Sequence, residues 1–212
     1  MVKLTKRATP PKPIITENDY RSNPNLAALA EDCFNKCYIC EYDKPTTINV
    51  EHLISHRGDA SLKYDWQNLF LSCGHCNNIK LKSYDNILDP TKCDPEDYIA
   101  LSLTTDLLVE VIKVEALSND ENVVQTANLL NLVYNGGTTD IKKIECANLR
   151  NAVSDCIARF LQYIKKYQDE PDEDYDNLIE DEIARSSAFS AFKRKIVRDD
   201  AELSAKFAKS LI

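Results

Sequence analysis

Apolar residues recur along this 212-residue chain with a spacing that changes as the chain proceeds. Residues 1–24 carry Pro10, Pro11 and Pro13, which exclude regular helix, so this stretch reads as an extended arm. Leu26, Leu29, Ala30 and Cys33 then recur at intervals of three and four. That spacing predicts a helix, with Asn23 as its N-cap and Pro24 at its first position. From Cys37 to Cys76 the periodicity weakens. This segment predicts a knuckle over 37–40, a strand near 47–52, a loop over 55–66, a strand near 69–72 and a helix from about Asn77. Leu107 to Leu117 is rich in Val, Ile and Leu and reads as a strand.

Helical spacing dominates from residue 118 on. Ser118-Asn-Asp-Glu121 has the form of a capping box. Val123, Ala127, Leu130 and Tyr134 mark one face of a helix ending at Asn135-Gly136-Gly137, and Leu149, Val153, Cys156, Phe160 and Ile164 mark the face of a longer one. Residues 168–176, acidic and broken by Pro171, read as a solvated linker. Phe189, Phe192, Ile196, Leu203, Phe207 and Leu211 are the candidate core of two or three closing helices. The pattern predicts an α+β fold divided into an arm (1–24), a compact domain (25–117) and a helical domain (118–212).

Composition narrows the class without deciding the partner. Hydrophobic residues make up 43% of the chain and charged ones 28%, as in ordinary globular proteins. The lack of an eighteen-residue apolar run argues against a membrane span. The first residues are basic with no apolar stretch, which argues against a secretory signal and for a cytoplasmic protein. The absence of a GxxxxGK[ST] loop argues against ATP binding by this chain. A net charge of −8 argues mildly against a polyanionic partner. The charge is uneven, however. Lys3, Lys6, Arg7 and Lys12 open the chain, nine acids with no base run from Asp169 to Glu182, and Arg57, Lys63, Lys80 and Lys82 surround the central segment against Asp59 and Asp65.

That central segment holds the candidate chemistry. All three histidines, His52, His56 and His75, fall within 24 positions, bracketed by Cys37-x-x-Cys40 and Cys73-x-x-Cys76. A CxxC turn can aim two sulfurs at one ion, and two such knuckles complete a tetrahedral zinc site. Cys33, Cys93, Cys146 and Cys156 lack such pairing and read as buried structural thiols. Between the knuckles stand Glu51-His52 and, further on, Asn68 and Asn77. On a strand, adjacent residues point to opposite faces. The carboxylate can then hold a divalent cation while the imidazole faces a water, and an amide from the following helix can complete the metal site. These are the components a phosphodiester hydrolysis requires.

The order acid-His52, then Asn68-Leu sixteen residues on, then Cys73-x-x-Cys76-Asn77-x-x-Lys80 resembles the HNH, or ββα-metal, endonucleases. The resemblance implies a small zinc-stapled core within 25–117 and an activity cleaving DNA or RNA. It implies His52 as general base, Glu51 and Asn77 as ligands of a catalytic Mg²⁺ or Mn²⁺, and Asn68 as the residue pinning the loop. Cys37, Cys40, Cys73 and Cys76 would hold structural zinc. Two positions depart from the family pattern: Glu51 stands where Asp is usual, and Asn77 where His is frequent. His56, Arg57, Lys80 and Lys82 are candidate phosphate contacts; His56 could equally touch the metal or be a plain loop histidine. His75 is expected to be exposed, Asn78 to serve as a cap, and Trp66 and Tyr64 to belong to the core. The alternative reading is a non-catalytic zinc ribbon that binds nucleic acid or protein.

A narrower resemblance rests on Trp66-Gln-Asn-Leu-Phe-Leu-Ser-Cys, Leu88-Asp89-Pro90, Asp94-Pro95 and Leu129-Leu130-Asn131-Leu132. Together these are similar to the PtuB family, the HNH component of bacterial Septu-type anti-phage systems, some of them retron-associated. That resemblance implies an ATPase partner of the PtuA type in a hetero-oligomer.

Overall fold

The chain enters the fold through an irregular but packed segment. In the computed structural model, which describes residues 1–106, 109–137 and 139–212, Met1, Val2 and Leu4 are buried. Leu4 N–H donates to Pro90 O at 2.8 Å, and the Arg7 guanidinium pairs with Asp32 and Glu31. The expected arm is therefore extended but fastened to the body. It ends in one helical turn, α1 (Glu17–Tyr20), followed by α2 (Asn23–Asp32). Ser22 is the N-cap of α2, one residue earlier than expected, and Pro24 lies in the first turn, where its missing N–H has no helical role.

The central unit is a hairpin with a helix against it: β1 (Ile48–His52), α3 (Ala60–Lys63), β2 (Leu69–Cys73) and α4 (Gly74–Lys80). β1 and β2 pair antiparallel, with Glu51 opposite Phe70 and His52 opposite Leu69. The expected loop over 55–66 contains α3, which Asp59 starts by accepting from Ser61 N–H at 2.8 Å. α4 begins at Gly74 rather than Asn77, because Cys73 is its N-cap and accepts from Cys76 N–H at 3.4 Å. The second knuckle thus spans a strand end and the first turn of a helix, and Asn78 lies within the helix rather than capping it.

A second hairpin follows, β3 (Ile99–Asp106) and β4 (Val109–Ala116), paired antiparallel from Ile99–Ala116 onward. β4 accounts for most of the strand expected over 107–117; Leu107 lies outside the described residues. The strand β3 is not among the expected elements, although Ile99, Leu101 and Leu103 alternate along it. Helices α5 (Glu121–Asn135), α6 (Asp140–Asp169), α7 (Glu173–Ile183), α8 (Ser190–Asp199) and α9 (Ala201–Lys206) complete the chain. Asp120 is the N-cap of α5 without a side-chain capping bond. Ser118 spends its hydroxyl on Asp120 at 2.8 Å, so the expected box does not form. α5 ends at Asn135: Gly136 donates its N–H to Leu132 O at 2.9 Å and then turns extended, and a side chain at Gly136 would come within 2.5 Å of that oxygen. Most of the expected linker 168–176 is helix, with only 170–172 between α6 and α7.

The expected helix faces are buried as read: Val123, Ala127, Leu130 and Tyr134 on α5, and Leu149, Val153, Cys156, Phe160 and Ile164 on α6. One apolar cluster joins the arm, α2, both hairpins, α5, the middle of α6 and the start of α8, so packing is continuous across residue 117. A second, formed by Phe160, Ile164, Ile179, Ile183, Val197, Leu203 and Phe207, closes the C-terminal end. Buried charge also ties the segment after the first knuckle to the arm and to α8. Glu41, which follows the first knuckle, pairs with Lys36 at 3.1 Å and with the Met1 amino group at 2.9 Å, and accepts from Ser190 of α8 at 2.9 Å. Burial alone would push its carboxyl up; those two cations outweigh it and hold the carboxyl well below the usual range.

Candidate active site and metal centre

The four knuckle cysteines converge. The sulfurs of Cys37, Cys40, Cys73 and Cys76 are buried and lie within 4.8 Å of one another, with Cys40 and Cys73 at 3.9 Å. A tetrahedron with metal–sulfur bonds of about 2.3 Å has edges of about 3.8 Å, so the set fits a zinc-type ion. The cage is fixed from outside by backbone. Tyr38 N–H donates to Leu71 O at 2.9 Å, and the Tyr134 hydroxyl donates to Cys40 O at 3.0 Å. Cys33 is buried beside it, its sulfur accepting from Leu71 N–H at 3.4 Å, in keeping with a structural thiol.

At the other end of β1 lies a half-open cluster. Strand alternation sends Glu51 and His52 to opposite sides. Glu51 faces α4, where Lys80 donates to its Oε1 at 3.1 Å and to His52 O at 2.8 Å. The Lys80 side chain is fully buried, so it is not the surface phosphate contact expected of it; its ammonium is spent inside the fold. Burial pushes the Glu51 carboxyl up, against the pull of Lys80. His52 bonds through Nε2 to Lys63 O at 3.0 Å. A carbonyl can only accept, so the proton sits on Nε2 and Nδ1 carries the lone pair. Burial lowers the pKa of His52, favouring the neutral ring. Tyr20 of α1 packs edge-on to the ring at 5.9 Å, and His56 lies 4.9 Å away between centroids.

Asn68 is buried and holds the loop between β1 and α3. Its Oδ1 accepts from Ile54 N–H at 2.8 Å, while its Nδ2 donates to Ile54 O at 2.9 Å and Leu62 O at 3.0 Å. Asn77 is half-buried on α4. Asp85 had no signal in the sequence, yet it fastens the same loop by accepting from Ser55 N–H at 2.8 Å and pairing with Arg57 at 2.8 Å. Arg57 is thereby tied down but still exposed, and Lys82 is exposed. His75 is half-buried rather than exposed, with Nδ1 3.0 Å from Glu145 and Nε2 2.8 Å from Val133 O, so both nitrogens serve the junction with α5 and α6. Trp66 is core, as expected, and its indole donates to Arg7 O at 3.1 Å.

Residues 37–83 match the HNH endonuclease family model. The matched HNH segment contains both the cage and the Glu51–His52 cluster and supports a metal-dependent nuclease with a nucleic-acid substrate. No curated protein and no solved structure matches the chain. Among the described residues, no helix is long and apolar enough to cross a membrane.

Proposed function

We propose that this protein is an HNH endonuclease that hydrolyses phosphodiester bonds of DNA or RNA with Mg²⁺ or Mn²⁺, its cage holding structural zinc. The observation that carries the reading is the imidazole of His52, whose proton is fixed on Nε2 by Lys63 O, leaving Nδ1 to take a proton from water. Glu51 and the Asn77 amide oxygen are the ligands on the α4 side. A divalent cation, when bound there, would stabilise charge on the phosphate. Asn68 keeps the loop over the site in one conformation, and Lys80 holds Glu51 in one rotamer. Arg57 and Lys82 are the charges left exposed to a phosphate backbone. A zinc ribbon would need the cage but neither the buried Lys80–Glu51 pair nor a tautomer fixed beside it. The test is cleavage of supercoiled plasmid, single strands and structured RNA. The expected result is loss of cutting in EDTA and recovery on adding Mg²⁺; a zinc-loaded protein that cuts none of them contradicts the reading.

The PtuB-like likeness of the sequence supports a place in a bacterial, cytoplasmic anti-phage complex with a PtuA-type ATPase, docked on 118–212. Ile141 and Ile144, one turn apart on α6, are 70% and 61% exposed and are the residues to test. Because the core is shared across residue 117, truncation would unfold the probe; Ile141→Asp with Ile144→Asp should abolish co-purification with the ATPase, and unchanged capture contradicts that surface.

A further inference from the structure

The loop after β1 holds the second imidazole of the cluster in a fixed state. Gly58 N–H donates to His56 Nδ1 at 3.1 Å. That bond needs a sharp reversal of the chain. Arg57 at φ 48° and Gly58 at φ 94° supply it, the first in a conformation costly for a residue with a side chain. Asp85 holds the reversal from both sides, through Ser55 N–H and the Arg57 guanidinium. A backbone N–H can only donate, so Nδ1 of His56 is the acceptor and the ring proton sits on Nε2. Both histidines therefore carry the proton on Nε2, but the backbone occupies opposite atoms. Lys63 O takes the N–H of His52 and leaves its lone pair, whereas Gly58 N–H takes the lone pair of His56 and leaves its N–H. Among the described residues, neither remaining nitrogen has a protein partner. The rings are 4.9 Å apart and tilted by 60°, close enough to serve one reacting phosphate.

We infer that His56 is a catalytic hydrogen-bond donor, its Nε2–H binding a non-bridging oxygen of the phosphate that water attacks under His52. This rests on the nuclease reading above. No proton leaves His56; its bond to that oxygen shortens as charge builds there, which is the condition for raising the rate rather than ground-state affinity. A metal ligand at this position would need a bare nitrogen, and the bare nitrogen of His56 is already taken.

Two measurements test it. Long-range ¹⁵N–¹H correlation of the full chain with zinc bound should report the Nε2–H tautomer for both His52 and His56; a proton on Nδ1 of His56 overturns the inference whether or not the protein cuts anything. Cleavage by His56→Ala should then fall about 10–100-fold in kcat, with zinc content, melting temperature and Mn²⁺ binding unchanged. His56→Gln, which keeps an N–H at similar reach, should recover most of that loss. His56→Ala within twofold of wild type, failure of Gln to rescue, or a His56→Ala defect that follows Mn²⁺ affinity instead of kcat each overturns it. Absence of cleavage by the wild type itself would sink the nuclease reading, an outcome distinguishable from all of these.

Discussion

The two ends of strand β1 are built on opposite plans. At one end, four buried cysteine sulfurs face a common centre and every ligand comes from the chain. At the other, Glu51, His52 and His56 are only half-buried, and backbone groups occupy one nitrogen of each ring while the other has no protein partner among the described residues. A closed four-thiolate site has nothing left to offer a substrate and contributes to folding; an open site keeps positions for reactants. On the proposed function, stability belongs to the cage and chemistry to the open end, so mutations only a few residues apart should differ in effect.

The largest effect should come from the cage. Structural zinc contributes on the order of 10 kcal/mol to folding in apparent terms, so Cys40→Ala should lose zinc and its cooperative melting transition together. Calorimetry with metal analysis checks this; a variant that melts like wild type would break the division of labour. Next comes Lys80, which belongs to the open end but is buried like a core residue. Lys80→Met leaves Glu51 without its cation, and removing one partner of a buried pair costs roughly 3 kcal/mol. It should also make Mn²⁺ raise the melting temperature more than in wild type, because the divalent ion then neutralises an otherwise unpaired carboxylate. Equal Mn²⁺ shifts in both proteins would show that Glu51 is not a ligand.

The smallest expected effect comes from a lysine of the N-terminal arm. Lys6 donates to Trp66 O and Leu69 O and sits over the Trp66 and Phe70 rings, and burial lowers its pKa to about 8 from 10.5. The unfolded chain then binds more protons than the folded one between those values, so this group adds stability as pH rises from about 8 toward 10. Compared with Lys6→Met, wild-type protein should gain stability over that window; a gap that stays constant contradicts the assignment.

Much of this was legible in the sequence because the signals are local. Two CxxC spacings announced the cage, Asn68 and the Glu51-His52 pair lay in a recognisable order, and 3.6-residue periodicity marked the buried faces of α5 and α6. What was not legible depends on partners far apart in the chain. Lys80 reads as an ordinary helix-surface lysine until Glu51, 29 residues away, is placed beside it. Glu41 meets Ser190 across 149 residues, and His75 meets Glu145 across 70; no spacing rule reaches so far. The N–H and carbonyl that fix the two imidazoles are backbone groups, carried by every residue and therefore invisible to a reading of side chains.

His52 is the residue on which the proposed cleavage most depends. Cleavage by wild type and by His52→Ala should be compared at matched zinc content and matched melting temperature, with Mn²⁺ binding measured alongside. A positioned base contributes about 10²–10⁴-fold, so the variant should lose at least two orders of magnitude in rate while still binding Mn²⁺, whereas Glu51→Ala should weaken Mn²⁺ binding. Cleavage by His52→Ala close to the wild-type rate would contradict the account.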